Sequence, residues 1–138
     1  MRRASDQVKP WHIQSSSGDI PQSHSVVLEA ATDAKREPLQ HSDTFVCDGA
    51  VNVPQLLRIT RNTLLWEAEL LGANALVDEQ WSCTICGPKN RPNGTFKVQI
   101  SYSASATRSG HLDPHLPVAL GNVKGVPGLM TVIKRSTE

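Results

Sequence analysis

Residues 52–72 read NVPQLLRITRNTLLWEAELLG, and this stretch decides the fold of the 138-residue chain. Asn52 is a suitable N-cap because its side-chain oxygen can accept a hydrogen bond from the first turn of a helix. Pro54 follows near the first helical position, where its missing N–H costs nothing. Gly72 supplies the left-handed residue that commonly ends a helix. The stretch therefore predicts a helix over residues 54–71.

The predicted helix has one apolar side and one polar side. Apolar residues recur at helical spacing, and they are Leu57, Leu64, Ala68 and Leu71, with Leu56, Ile59 and Leu70 widening the stripe. The polar side contains Arg58, Arg61, Asn62, Glu67 and Glu69. We expect the leucine side to lie on a sheet and Arg61 to face solvent.

Two strands are predicted after the helix. Residues 96–107, FKVQISYSASAT, alternate between apolar and polar side chains, which is typical of an antiparallel strand with one buried face. Residues 75–85 are predicted to form the preceding strand, and Glu79 is the exception on its apolar face. The apolar face of this strand is expected to carry Ala75, Val77, Trp81, Cys83 and Ile85. Leu76 is expected on the opposite face. The turn formers in residues 87–94 join the two strands as a hairpin.

The fold class that follows is α+β, with an antiparallel sheet packed on one main helix. A β-α-β-β core is expected, with extra short strands at residues 25–28, 44–47 and 129–133. The helix should cover the hairpin through Leu57, Leu64 and Leu71, which we expect to pack on Val98, Ile100 and Tyr102. Residues 1–22 are polar and are expected to be a flexible N-terminal arm, with residues 23–138 forming a single domain.

The composition narrows the functional classes. Fourteen basic and thirteen acidic residues nearly cancel, so the excess of positive charge that phosphate backbones require is lacking and nucleic-acid binding is disfavoured. No apolar run approaches the length of a membrane span. Three cysteines are an odd number, and residues 1–20 lack the apolar region of a secretory signal. We therefore expect a cytoplasmic protein with free thiols or a metal site.

One local pattern is typical of metal sites. Cys83 and Cys86 are separated by two residues, and Gly87 permits a turn directly after them. His111 and His115 are separated by three residues, so the four side chains would complete a tetrahedral zinc site. The opposing interpretation is that Cys83 packs inside a strand and Cys86 begins a turn. In a continuous strand the two side chains would face opposite sides of the sheet, so they could not bind one metal ion. Cys47 is the alternative third ligand.

Three residues are candidates for acid–base chemistry, namely Glu79, Tyr102 and His111. A carboxylate on an otherwise apolar strand face would be desolvated, and its environment could make it a base or a polar anchor. A salt bridge at the rim of the sheet is the structural alternative for Glu79. Trp81 and Tyr102 could line a pocket, although core packing is their ordinary role.

Residues 67–77 read EAELLGANALV, a helix that ends in Leu-Gly-Ala-Asn-Ala and leads directly into a strand. This pattern resembles the YbjQ-like family of small proteins, which is associated with heavy-metal binding. The resemblance covers residues 44–107, where residues 102–106 (YSASA) correspond to a Tyr-Gly-Thr-Ala-like run of the family and lack its glycine. It implies a strand, a helix and a hairpin, assembled as a ring of subunits, and a binding module without established catalysis.

The leading functional expectation is a cytoplasmic, homo-oligomeric binding protein for a metal ion or a small ligand. One alternative is a small enzyme of α+β-barrel type with a pocket between helix and sheet. Another is a zinc-stabilised interaction module. Zinc is the only cofactor expected, and the expected partners are further copies of the chain and a small molecule, with no nucleic acid and no membrane.

Overall fold

The described part of the chain contains five antiparallel strands and one long helix. The computed structural model describes residues 12–33, 35–87 and 95–137. The elements in chain order are β1 (His12–Ser16), α1 (Ser25–Glu29), β2 (Glu37–Asp48), α2 (Val53–Leu70), β3 (Ala75–Cys86), β4 (Thr95–Thr107) and β5 (Thr131–Thr137). The sheet order is β1-β3-β4-β2-β5, and α2 packs on β4, β2 and β3. The prediction of an antiparallel sheet covered by one main helix is therefore confirmed.

The ends of α2 follow from its capping residues. The Asn52 side chain accepts a hydrogen bond from the backbone N–H of Gln55 at 3.2 Å. At the other end, Gly72 has a φ of 90°, and its N–H donates to the carbonyl of Glu69. The N–H of Ala73 donates to the carbonyl of Ala68. These two bonds make a Schellman motif, which satisfies the last carbonyls and turns the chain towards β3.

The buried side of α2 has a strict helical spacing, although two of its members are polar. The buried residues are Val53, Leu56, Leu57, Thr60, Arg61, Leu64, Leu65 and Ala68. The prediction that Arg61 faces solvent was wrong, since its relative exposure is 0%. Leu70 and Leu71 were expected in the stripe and are 68% and 59% exposed. Leu70 points away from the sheet, and Leu71 is already the C-cap residue.

The expected contact between helix and hairpin exists for two of the three leucines. Leu57 and Leu64 are fully buried, and they belong to one apolar cluster with Val98, Ile100 and Tyr102. Each such side chain contributes roughly 1.5–3 kcal/mol through removal from water. This cluster is the main core, and it lies between α2 and the inner face of the sheet.

A β-bulge in β3 changes which residues face the core. Val77 pairs with Ser105 and Gln80 with Ser103, so two residues of β3 oppose the single Ala104 of β4. The extra residue is Asp78, which has a φ of 50°. Leu76 consequently lies in the main core. Ala75 and Val77 form a separate cluster with Val27 of α1, so the prediction that they share a face with Trp81 was wrong.

Five further segments differ from the sequence-based expectations, extend them, or lie partly outside the described residues. Within the predicted arm, His12–Ser16 is strand β1, and Gln22 forms a bridge to Glu79, whereas residues 1–11 lie outside the described residues. The segment 25–28, predicted as a strand, is part of the short helix α1. The run 44–47 belongs to the longer β2, and the run 129–133 leads into β5. Of the predicted turn at 87–94, only Gly87 is described.

We expect the bulge to depend on the backbone of Asp78. Asp78→Val should lower the free energy of unfolding by about 1–3 kcal/mol, because a β-branched residue is strained at positive φ. Asp78→Gly removes the same carboxylate but has no such strain, and it should leave stability within about 0.5 kcal/mol of the parent or raise it. Urea unfolding followed by tryptophan fluorescence measures both. Equal stability of the two variants would contradict the role of the bulge.

Candidate functional site

A charged cluster is buried between α2 and β3. Arg61 donates from Nε to Glu79 Oε1 at 2.6 Å and from Nη2 to Glu79 Oε2 at 3.0 Å. It also donates from Nη1 and Nη2 to the two oxygens of Asp113 at 2.8 and 3.0 Å. The Tyr102 hydroxyl donates to Glu79 Oε1 at 2.6 Å. One guanidinium therefore forms bidentate pairs with two carboxylates.

Asp113 connects this cluster to the backbone. Its Oδ2 accepts from the N–H of Leu76 at 3.0 Å, and its Oδ1 accepts from the N–H of His115 at 2.8 Å. The chain after Asp113 then crosses the inner face, where Trp81 Nε1 donates to the carbonyl of Val118 at 2.8 Å. We call residues 113–124 the strap. Its first half is fixed to β3 by the charged cluster and by Trp81.

The electrostatics of the cluster are those of a paired structural site. Burial by itself would raise the pKa of Asp113, but hydrogen bonds and the positive charge of Arg61 outweigh burial and lower it. Burial would lower the pKa of Arg61, and the bonds to Glu79 and Asp113 raise it instead. For Tyr102, burial and then the negative charge of Glu79 both raise the pKa. Arg61 stays a cation and Tyr102 a neutral phenol at physiological pH.

The structure brings together two of the three catalytic candidates. Glu79 and Tyr102 are bonded to each other and have a relative exposure of 0%. His111 is exposed and lies elsewhere, with its Nδ1 2.7 Å from the carbonyl oxygen of Leu112. The structural alternative for Glu79 was a salt bridge at the rim of the sheet. Its carboxylate is instead buried inside the core. Arg61 and Asp113 complete its surroundings, and sequence analysis identified neither as a site residue.

The four predicted zinc ligands are not brought together. Cys83 faces the core, whereas Cys86 is on the opposite face of β3, between His12 and Lys97 in the sheet register. His111 and His115 are both exposed. Within residues 12–33, 35–87 and 95–137, no group of three or more His, Cys, Asp or Glu side chains could hold a metal ion. Zinc binding therefore stays a prediction without a described site.

A third buried carboxylate, that of Asp43, ties β2 to α2 and β5. Asp43 Oδ2 accepts from the Thr60 hydroxyl at 2.7 Å and from Arg135 Nη2 at 2.9 Å. His41 Nε2 lies 3.2 Å from Asp43 Oδ1. Burial would raise the pKa of Asp43, but the hydrogen bonds from Arg135 and Thr60 lower it overall. Thr60, the other polar residue on the buried side of α2, thus has a partner just as Arg61 does.

An open cleft of about 760 Å³ lies between β1, β3 and the end of the strap. We call it the β1 cleft; it is lined by residues 14–16, 82–84 and 121–124. Asn122 donates to the carbonyl of Ser16 at 3.2 Å, which fixes one wall to the edge strand. Lys124 is the charged residue of the lining, and most of the other side chains are hydroxyls and amides.

Ser15 has an unusual position in the lining of the β1 cleft. Its hydroxyl oxygen is buried, yet it has no hydrogen-bond partner in the described part of the chain. The other such atom is Arg36 Nε, whose guanidinium still donates through Nη1 to Asp78 at 3.4 Å. A buried hydroxyl without a partner costs about 1–3 kcal/mol, so Ser15 calls for an explanation. Sequence analysis did not identify it, because a serine in a polar segment carries no distinguishing signal.

Comparison with known proteins adds no family to this description. The chain matches no protein-family model, no curated protein and no solved structure. The resemblance to the YbjQ-like family accordingly stays a prediction. Among the described residues, no helix has both the length and the apolar character needed to cross a membrane.

We expect Arg61 to be the residue on which the charged cluster depends. Arg61→Met leaves Glu79 and Asp113 buried without a cation, so the free energy of unfolding should fall by about 3–5 kcal/mol. The triple variant Arg61→Met, Glu79→Gln, Asp113→Asn removes the unpaired charges and should recover part of that loss. Arg58→Met on the exposed side of α2 is the matched control and should change stability by less than about 0.5 kcal/mol. Equal losses for Arg61→Met and Arg58→Met would contradict this account.

The lowered pKa values of Asp43 and Asp113 predict acid sensitivity with a definite sign. Near and below the ordinary aspartate pKa of about 3.9, the unfolded chain binds more protons than the folded chain, so acid favours unfolding. Above about pH 5, the contribution of these two aspartates to the free energy of unfolding should not change with pH. It should fall as the pH drops towards their lowered pKa values in the folded state. Urea unfolding across the acid range measures the slope. Asp113→Asn should make the free energy of unfolding depend less steeply on pH. An unchanged slope would show that Asp113 does not contribute to the acid sensitivity.

Proposed function

We propose that this protein is a binding protein that holds a small polar ligand in the β1 cleft. The observation that carries the proposal is the buried, unpartnered hydroxyl of Ser15 in the lining of that cleft. The Ser15 oxygen is covered by neighbouring protein atoms, so a ligand group reaches it only when those atoms shift, and the hydrogen bond then removes the cost of the unsatisfied oxygen. Open clefts with a few fixed polar groups are the usual sites for small ligands.

The lining indicates the chemistry of the ligand. Its hydroxyl and amide side chains can both donate and accept hydrogen bonds, and they belong to Gln14, Ser15, Ser16, Ser82, Thr84 and Asn122. Lys124 adds one positive charge, and no described Asp or Glu side chain lines the cleft to neutralise it. A small hydroxylated molecule with one anionic group, such as a hydroxycarboxylate, fits this combination best.

Binding without covalent chemistry suits the groups near the cleft. Cys83 supplies the thiol of the lining, and burial followed by the proximity of Cys47 raises its pKa to about 12. At neutral pH it is therefore a thiol rather than the reactive thiolate. The Glu79 carboxylate accepts hydrogen bonds from Arg61 and Tyr102 inside the core. These features support a binding protein over the enzyme alternative.

The cellular setting belongs to the same proposal. Cys47, Cys83 and Cys86 are all free thiols, which supports a reducing, cytoplasmic environment. The proposed ligand is organic, and zinc is not required for it.

A ligand screen tests the proposal. We expect a panel of small hydroxycarboxylates to contain members that raise the melting temperature of the purified protein, because a ligand that binds only the folded state stabilises it. Calorimetric titration then gives the affinity of the strongest member. Ser15→Ala should weaken that affinity by about tenfold, the value of one hydrogen bond to a charged or strongly polar group. Lys124→Gln should weaken it as well if the ligand is anionic.

The control is Ser136→Ala, which removes a hydroxyl from β5 at the opposite edge of the sheet. It should bind the ligand like the parent. The proposal fails if no member of the panel shifts the melting temperature, or if Ser15→Ala and Ser136→Ala bind equally well.

A further inference from the structure

The side of α2 that points away from the sheet combines exposed apolar residues with charges of both signs. We call it the outer helix face; it consists of Arg58, Ile59, Asn62, Trp66, Glu69 and Leu70. Trp66 is 60% exposed and Leu70 is 68% exposed, and Ile59 is partly buried against the core. Large apolar side chains grouped on an exposed surface mark an interaction site.

The arrangement of these residues is symmetric along the helix. Successive residues are turned by about 100°, so residues eleven apart lie within about 20° of each other around the axis. Arg58 and Glu69 therefore share one flank of the outer helix face. Ile59 and Leu70, which are also eleven apart, share the other flank. Asn62 and Trp66 lie between the two flanks, and all three pairs are centred close to position 64 of the chain.

We propose that a second copy of this chain docks on the outer helix face, with the two α2 helices antiparallel about a twofold axis. Such an axis places each flank against the same flank of the partner and reverses the residue order. Arg58 then faces the partner's Glu69, and Ile59 faces the partner's Leu70. Each Trp66 packs over the partner's Asn62. One register satisfies all three pairs, and every pair occurs twice.

Charge complementarity selects this partner and this orientation. Neither Arg58 nor Glu69 makes an ion pair with another described residue. Antiparallel docking places Arg58 opposite the partner's Glu69 at two points of the interface, whereas parallel docking about a twofold axis would place the charged flank against the apolar Ile59 and Leu70 flank of the partner. Antiparallel helices also align their dipoles favourably. Charges at the rim set orientation, and the apolar residues between them supply the buried area.

The size of the interface predicts a weak, reversible dimer. The 18 residues of α2 extend for about 27 Å, so one helix face offers less than the roughly 800 Å² per partner of a standard stable interface. We expect dissociation constants in the micromolar range. The outer helix face shares no residue with the β1 cleft, so the dimer and ligand binding are independent proposals.

Sedimentation equilibrium of the full chain, from low to high micromolar concentration, tests the dimer. The parent should pass from monomer to dimer with rising concentration. Trp66→Glu should stay monomeric throughout, because it places two carboxylates in the apolar part of the interface. Ile20→Glu, at a residue that is 76% exposed and outside the outer helix face, is the control and should dimerise like the parent. Circular dichroism confirms that each variant is folded.

A charge exchange tests the antiparallel register. Arg58→Glu alone and Glu69→Arg alone should each weaken the dimer by about tenfold or more, since each places like charges together at two points. The double variant Arg58→Glu, Glu69→Arg restores both ion pairs in reverse and should regain most of the affinity. The proposal is overturned if the parent is monomeric at every concentration, or if Trp66→Glu dimerises like the parent. A double variant as weak as the single variants would overturn the register.

Discussion

The rest of the structure depends on the guanidinium of Arg61, which is held between two carboxylates in the core. Arg61 comes from α2, Glu79 from β3 and Asp113 from the strap, and the side chains of all three are shielded from water. A buried charge without its partner is far more costly than a missing apolar contact. Any arrangement that displaced one of the three segments would leave such a charge. We infer that the cluster restricts the helix and the strap to one position on the sheet. Apolar packing alone would allow more than one position.

The bulge at Asp78 is the backbone feature that makes this pairing possible. Without the extra residue, strict alternation would place Glu79 on the same face as Ala75 and Val77, which pack against α1 rather than against α2. Because one residue is inserted, Glu79 points into the main core opposite the small Ala104. The bridge to Gln22, formed by two backbone hydrogen bonds of 2.6 and 2.9 Å, satisfies the backbone N–H and carbonyl of Glu79. The strained backbone of Asp78 thus orients the side chain of Glu79 towards Arg61 in the core.

Local signals predicted the helix and the sheet well, but they predicted the site poorly. Asn52, Pro54 and Gly72 set the ends of α2, and the alternation in β4 set its buried face, because capping and periodicity act over a few residues. Arg61 lies on the apolar row by spacing alone, three residues before Leu64 and four after Leu57, but its charge led to the expectation of solvent. The bulge left no mark in the sequence of β3, so Ala75, Leu76 and Val77 were all placed on the wrong face. Asp113 is 52 residues from Arg61 in a segment without periodicity, and no local pattern could pair them.

The strap links the charged cluster to the β1 cleft, so the core and the proposed ligand site are mechanically connected. The strap is fixed at Asp113 by Arg61, at Val118 by the indole of Trp81, and at Asn122 by the carbonyl of Ser16. Its last residues, 121–124, form one wall of the cleft. Release of the first attachment would leave the strap held by neutral contacts, which are His24 Nε2 with the carbonyl of Leu116, Trp81 and Tyr102 with the backbone of Val118, and Asn122 with the carbonyl of Ser16. Each of these is weaker than a bidentate ion pair in the core. A ligand that engages Lys124 would in turn hold the far end of the strap. The buried ions therefore help to keep the cleft wall in position although none of them lines the cleft.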